Sequence, residues 1–345
     1  MNFWKLTGLG LLLILLIAGW VLYDRYRAYL APNVPGQLDD PYVEIPTGST
    51  FEEVLALLSD RGLIVDTTSF RTVAKRLQYA RPNMRAGRFQ VQPGWNNLKL
   101  VRHLRGGPQA TVPLVLTTER LPEEVARKVS RFIEPDSADF MALFTDEAYL
   151  QQIGYRQETL LSLFIPNTYD FYWNTSVQDF MERMQQEHER FWGKDNRRDK
   201  AAARKLSLAE VYTLASIVEK ETNANIEKRR IAGVYLNRLA IGMPLQADPT
   251  CVFATRDFDT PRVTDYHLKF DSPYNTYLYR GLPPGPIAMA SIASIDAVLN
   301  AEAHDYLYFC AVGDGSGLHL FAKSLAGHNQ NAERYRANLR QRGLR

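Results

Sequence analysis

From Leu6 to Tyr23 no side chain is charged, and the run is bounded by Lys5 before it and by Asp24, Arg25 and Arg27 after it. As a helix, the eighteen residues of this run rise about 1.5 Å each and reach about 27 Å, the hydrocarbon thickness of a thin bilayer. Trp4, Trp20, Tyr23 and Tyr26 stand where amphipathic rings anchor a helix at the membrane interfaces. A buried core helix does not need so pure a leucine and isoleucine run. A cleaved leader would need a small-x-small site, and none follows at Ala18 to Tyr23. The expectation is a retained single-pass anchor over residues 1–28 with a short cytoplasmic N-terminus. Lys5 and the amino terminus compete with Arg25 and Arg27, so the flanks leave orientation open. A soluble body after one start anchor lies most simply outside the cytoplasm.

The 345 residues, 46% of them hydrophobic and without a long low-complexity run, can bury one large core or two to three smaller ones. The net charge of +3 is small and its basic residues are interspersed with acids, which speaks against nucleic acid as a partner. Cys251 and Cys310 fit a disulfide or two free thiols equally. His304, His319 and His328 are scattered and no CxxC occurs, so no metal or cofactor is expected.

Beyond the anchor, residues 29–41 (APNVPGQLDDP at their core) form a Pro/Gly/Asp-bearing spacer expected to hold the body off the membrane. Residues 42–107 predict a small β-α-α-β module: a strand at Tyr42 to Ile45, a helix capped by Ser49 or Thr50, a second helix from Thr68 to Leu77, and a returning strand in AGRFQVQPG. Residues 108–205 are mostly helical, apart from the strand-like TVPLVLTT. Pro122 opens one helix, where its missing N–H costs nothing. SLFIPNTYDFYWNTS suits either a sugar or peptide surface or a core segment, and FWGKDNRRDKAAARK predicts a polar, partly mobile connection. In residues 206–345 a fresh helix begins at Ser207, where Ser207 and Glu210 make a capping-box pattern. Prolines and glycines break the chain after Gly242. A last helix is expected near Ser291 to Ala301, then a hairpin of YLYFCAV and GLHLFAKS across GDGSG. The fold class is α+β.

The chemistry centres on LASIVEKETN, residues 214–223. At 100° per residue Val211, Leu214, Ala215 and Val218 form an apolar stripe, with Lys220 opposite, Glu219 on one border and Glu221 on the other. Either glutamate is placed for partial desolvation, which raises a carboxyl pKa toward the range of a general acid. Periodicity does not choose between them, and two surface charges remain the plain alternative. Downstream, Asn237, Gln246, Asn275 and Thr276 are neutral groups suited to hydroxyls and N-acetyl groups, and Tyr274, Tyr277 and Tyr279 offer ring faces to sugars. Together with an anchored body they favour a neutral polymer over a nucleotide.

The segments LASIVEKET, AGVYLNRL, GMPLQADPT, SPYNTY, GLPPGPI, YLYFCAVGDGSGLHLF and AKSLAGHN resemble the endolytic murein transglycosylases of the YceG-like, or MltG, family, over about residues 42–335. The resemblance implies an enzyme of the bacterial inner membrane whose body faces the cell-wall compartment. Such an enzyme cleaves nascent peptidoglycan strands internally and leaves 1,6-anhydro-N-acetylmuramyl ends, limiting glycan length. It further implies association with penicillin-binding proteins and the elongation machinery, a LysM-like first module, and a larger mixed α/β catalytic domain with its core in 206–345. It carries the catalytic glutamate onto Glu219, the first acid of VEKE, and substrate-binding positions onto Asn237, Gln246, Asp248, Tyr274, Asn275 and Thr276. Leu161-Ser162 stands where the family often has an acidic Glu-Gly pair and Asn167 where it has aspartate, so no second acidic helper carries over from there.

On this reading protonated Glu219 donates to the glycosidic oxygen and then accepts the proton of the muramyl 6-hydroxyl, while Asn275 or Gln246 fixes the substrate acetamido group. Two other functions stay open. A hydrolytic muramidase would recruit Asp248 as its second carboxylate, although a turn cap before Pro249 is that residue's plainer role. A peptidoglycan-binding scaffold would use the β-α-α-β module alone.

Overall fold

The computed structural model describes residues 3–344, with side chains from residue 8 onward. Trp4, Lys5 and the expected cytoplasmic N-terminus therefore lie outside the described side chains. The chain forms two compact units. One holds the chain up to Pro113 with the short returns Phe132–Glu134 and Asp170–Thr175; the other holds Leu114–Arg131, Pro135–Tyr169 and the chain from Ser176 on.

In the first unit α1 (Phe3–Tyr29) is followed by β1 (Tyr42–Ile45), α2 (Phe51–Asp60), α3 (Thr67–Arg76), β2 (Gly87–Gln90) and α4 (Asn97–Gly106). The β-α-α-β order expected from the sequence is present. β1 and β2 pair antiparallel, with Tyr42 opposite Gln90 and Ile45 opposite Gly87. Thr50 is the cap of α2: its hydroxyl accepts from the Glu53 N–H, and Glu53 reaches back to the Thr50 N–H at 2.7 Å. Phe51 and Phe70 lie parallel at 6.3 Å with Tyr79 edge-on to both, filling the core with Val54, Leu58 and Leu63.

α1 is long and apolar enough to cross a membrane between Gly8 and Tyr29, and its apolar side chains are exposed. Its final turn is not free. Ala28 is buried in the module's core, and Asn97, fully buried, donates from Nδ2 to the Ala28 carbonyl at 2.8 Å while accepting from Asn33 at 2.6 Å. Asn33 and Val34, inside the expected spacer, are buried too, and their N–H groups both donate to the Trp95 carbonyl. Asparagines satisfy the carbonyls that the helix end leaves without partners.

β3 (Thr111–Leu116) pairs with β4 (Asn167–Tyr172). The second unit contains α5 (Pro122–Val129), α6 (Ser137–Phe144), α7 (Glu147–Gln152), a 3-10 turn (Gln157–Leu163), α8 (Val177–Trp192), α9 (Arg197–Ala203), α10 (Leu208–Glu221), α11 (Asn225–Ala240), α12 (Asp248–Thr255), α13 (Asp265–Lys269), α14 (Ile292–Leu299), β5 (Tyr308–Ala311), β6 (His319–Ala322) and α15 (Leu325–Gln341). β5 and β6 form the expected antiparallel hairpin. α10 is its centre: every residue from Val211 to Val218 is buried, and α11 and α14 pack on it. Polar groups on α10 hold the loop after α13. The Tyr212 hydroxyl donates to the Phe164 carbonyl at 2.6 Å and accepts from the Ala290 N–H, and the Ser216 hydroxyl accepts from the Ile287 N–H. Gly285 admits no side chain, because a Cβ there would stand 1.8 Å from the Glu158 carbonyl oxygen.

Two sequence expectations are corrected and one open choice is decided. The segment expected as a partly mobile connection contains α9, whose Arg197 is buried and grips Asp296 with two nitrogens at 2.9 and 3.1 Å. The expected last helix is followed by another, α15, which buries no side chain fully and so leaves no apolar stripe to read. The SLFIPNTYDFYWNTS segment takes the core role through Phe164, Ile165, Tyr169 and Phe171, all buried.

Candidate active site

Glu219 and Glu221 are two residues apart near the end of α10, which at 100° per residue turns them to different sides of the helix. Their surroundings differ in sign. Glu219 meets the start of α14: its Oε2 accepts from the Ser291 hydroxyl at 2.5 Å, from the Ser294 hydroxyl, and from Lys228 Nζ of α11 at 3.0 Å. Lys228 is only 6% exposed and Glu219 16%, so the pair is a half-dry clamp between three helices. Burial pushes the Glu219 carboxyl upward, but the Ser291, Ser294 and Lys228 hydrogen bonds and the lysine charge outweigh it. The carboxyl is held below its ordinary 4.5. The positive end of the α14 dipole acts in the same direction.

Glu221 is the last residue of α10, at the negative end of that helix, where a second negative charge is disfavoured. It accepts one hydrogen bond from the Tyr235 hydroxyl of α11, at 2.6 Å. Burial raises its carboxyl, the Tyr235 bond and Arg238 oppose this in part, and the charge of Asp248 adds to the rise; the pKa is pushed up to about 7. It is therefore substantially protonated at neutral pH, as a general acid must be.

Glu221 lines a cavity of about 300 Å³ together with Asp248, Lys220 and Arg120, over walls that include Phe253, Phe258 and Ile287. Glu219 is not part of this lining. Arg120 lies over the Phe258 ring at 4.9 Å, and Lys220 is pushed below the ordinary lysine range by burial and then by the Arg120 charge. Two acids and two cations thus line one apolar-walled hollow.

The other sequence-derived positions divide into two groups. Asp248, the first residue of α12, is exposed in the cavity wall and accepts from the Tyr277 hydroxyl at 2.6 Å. Tyr274 stands behind the wall, its ring 4.8 Å from that of Phe253. Gln246 is exposed and sits at φ 48°, a left-handed conformation, with its N–H donating to the Thr276 carbonyl. The remaining three brace the scaffold. Asn275 is fully buried. Its amide donates to the carbonyls of Phe270, Leu268 and His267, and its oxygen accepts from Cys251 Sγ and the Tyr277 N–H. That leaves no atom to fix a substrate acetamido group. Thr276 is buried and ties its loop to Ala247 and Thr250. Asn237 binds the His304 and Tyr306 carbonyls at 2.7 and 3.0 Å, away from the cavity lining. Cys251 and Cys310 are free thiols.

Tyr235, Arg120 and Lys220 are the residues that sequence reasoning left out of the site. Tyr235 belongs to AGVYLNRL, and its spacing of fourteen from Glu221 spans the turn between α10 and α11, a partnership that local pattern does not display. From the sequence Tyr277 reads only as a ring face for sugars; its hydroxyl, bound to Asp248, is what the structure adds.

The chain is 27% identical over 337 residues to the endolytic murein transglycosylase of Bacillus subtilis (strain 168), covering 93% of this chain and 91% of that one. It is 26% identical over 357 residues to the protein of that name from Streptococcus pneumoniae serotype 2, covering 94% of this chain and 64% of the longer relative. The crystal structure of a yceG-like protein from Listeria monocytogenes superposes with a TM-score of 0.56 at 29% identity, over 84% of this chain and 97% of that one. The sequence profile of the YceG-like family matches residues 43–334. With the profile spanning most of the chain, this protein belongs to the YceG-like family.

Proposed function

We propose that this chain is an endolytic lytic transglycosylase of peptidoglycan, with Glu221 rather than Glu219 as its acid. The observation that carries the choice is that Glu221 opens into the cavity with its pKa pushed up to about 7, whereas Glu219 is tied ionised into a helix junction. Protonated Glu221 donates to the oxygen of the β-1,4 bond between N-acetylmuramate and N-acetylglucosamine as that bond to C1 breaks. The muramyl 6-hydroxyl oxygen then closes on C1, and its proton passes to the Glu221 carboxylate. The proton count balances without water, and the acid is regenerated. Asp248 lines the same cavity, and its negative charge adds to the rise that burial gives the Glu221 pKa and favours the positive charge developing at C1. Tyr235 and Tyr277 orient the two carboxyls. Lys220 and Arg120 suit the carboxylates of the stem peptides that muramyl residues carry.

The hydrolytic alternative draws on the same Glu221–Asp248 pair, with Asp248 activating water. End-group analysis separates the two, since hydrolysis adds water and leaves reducing ends. The membrane setting is part of the proposal: α1 serves as a retained inner-membrane span with the body on the outer side and the β-α-α-β unit as a LysM-like binding module. The burial of Ala28 in that unit supports a fixed junction, because it ties the final turn of α1 to the folded body. Association with the glycan-polymerising machinery follows from the family's setting.

A further inference from the structure

The glycan-cutting chemistry makes no use of a cavity of about 1100 Å³ in the first unit, between the end of α1 and α3. Its charged lining is Arg25 and Asp24 from α1 and Lys75 and Arg76 from α3, and Leu22 and Leu98 contribute apolar surface. Among the described residues none of the three cations makes a hydrogen bond or an ion pair. Glu52, the acid that feels Lys75, is already held by two nitrogens of Arg71. Lys75 and Arg76 lie in the last turn of α3, where cations suit the helix dipole. That accounts for their presence on the helix but not for Arg25 facing them across an apolar floor.

The docking of α1 sets the height of this cavity. Because Ala28 belongs to the core of the unit, α3 cannot drift away from the end of α1. If the apolar stretch from Leu9 to Tyr23 fills the bilayer, Arg25 and Tyr26 stand at headgroup level, and Lys75 and Arg76 stand there with them. We propose that this cavity seats the headgroup of an anionic phospholipid, its phosphate among Arg25, Lys75 and Arg76 and its acyl chains leaving past Leu22 into the bilayer. Three cations against one acid favour an anion, and continuity with an apolar helix favours a lipid over a soluble one. The inference rests on α1 being a retained membrane span.

The test uses the full chain in nonionic micelles, titrated with phosphatidylglycerol or phosphatidylcholine and read by native mass spectrometry. The expected result is retention of phosphatidylglycerol about tenfold or more above phosphatidylcholine. The preference should be lost in Lys75→Gln/Arg76→Gln and weakened in Arg25→Gln. It should persist in Lys99→Gln/Arg102→Gln, which removes exposed α4 cations outside the lining, and against inorganic phosphate as competitor. Cutting of soluble glycans by Lys75→Gln/Arg76→Gln should be unchanged. Equal retention of the two lipids, an equal loss in the α4 variant, or displacement by inorganic phosphate overturns the site. Alkaline carbonate extraction of membranes tests the anchor separately. Release of the chain overturns the membrane reading and the site with it, whereas resistance to extraction without lipid preference overturns the site alone.

Discussion

Replacing Glu221 by Gln should stabilise the protein at alkaline pH while removing its activity. A carboxyl whose ordinary pKa is 4.5 and whose folded value is about 7 binds its proton more tightly in the folded state. Below pH 4.5 both states are protonated and the group leaves stability unchanged. As pH rises from 4.5 to 7 the unfolded chain ionises first, so stability falls, and above 7 the loss is complete. The interval of about 2.5 pKa units corresponds to roughly 3 kcal/mol. Gln has the same shape, can accept from Tyr235, and has no proton to lose. The Tm difference between Glu221→Gln and the parent should therefore grow by about 6 °C between pH 4.5 and pH 8, at about 2 °C per kcal/mol for a unit of this size. Scanning calorimetry of both proteins in detergent across that range reads it directly. The parent's glycan-cutting rate should fall as pH passes through about 7, and the variant should lose about 100-fold or more. A pH-independent Tm difference, or a Glu221→Gln protein that cuts normally, would refute the assignment.

Lys228→Met should destabilise the second unit by about 3 kcal/mol, because it strands the half-buried Glu219 carboxylate without its cation; denaturant unfolding measures this. Tyr277→Phe removes the donor to Asp248, leaves that carboxylate's charge less compensated, and should move the alkaline limb of the pH–rate profile upward with a modest loss of rate. Asn275→Ala should cost about 2 kcal/mol or more in thermal stability, since it leaves buried loop carbonyls unpaired. A glycan-binding defect in a stably folded Asn275→Ala protein would argue that the residue meets substrate after all.

Local signals carried much of the fold. The Ser207–Glu210 box starts α10 as its pattern requires, with the Ser207 N–H donating to Glu210 at 2.8 Å, and the strands around GDGSG pair as the turn between them implies. α15 was illegible because no buried face marks it. Arg197 reads as one more surface charge until Asp296, 99 residues on, is beside it. Periodicity does not choose between the two acids, for the same reason. Both border one apolar stripe, and what separates them is Ser291 and Ser294, more than seventy residues downstream, against the open wall beside Asp248. Asn275 and Thr276 have the chemistry of sugar ligands, but their hydrogen bonds are spent holding the loop that carries Tyr277 to Asp248.

Cleavage of peptidoglycan strands in heavy-oxygen water, with mass spectrometry of the new ends, tests the central claim that one acid cuts the glycan without water. The expected products of the parent are 1,6-anhydro-N-acetylmuramyl ends free of solvent oxygen, with no new ends from Glu221→Gln and retained cutting by any folded Glu219→Gln protein. Reducing N-acetylmuramate ends bearing heavy oxygen, or anhydro ends still formed by Glu221→Gln, would contradict it.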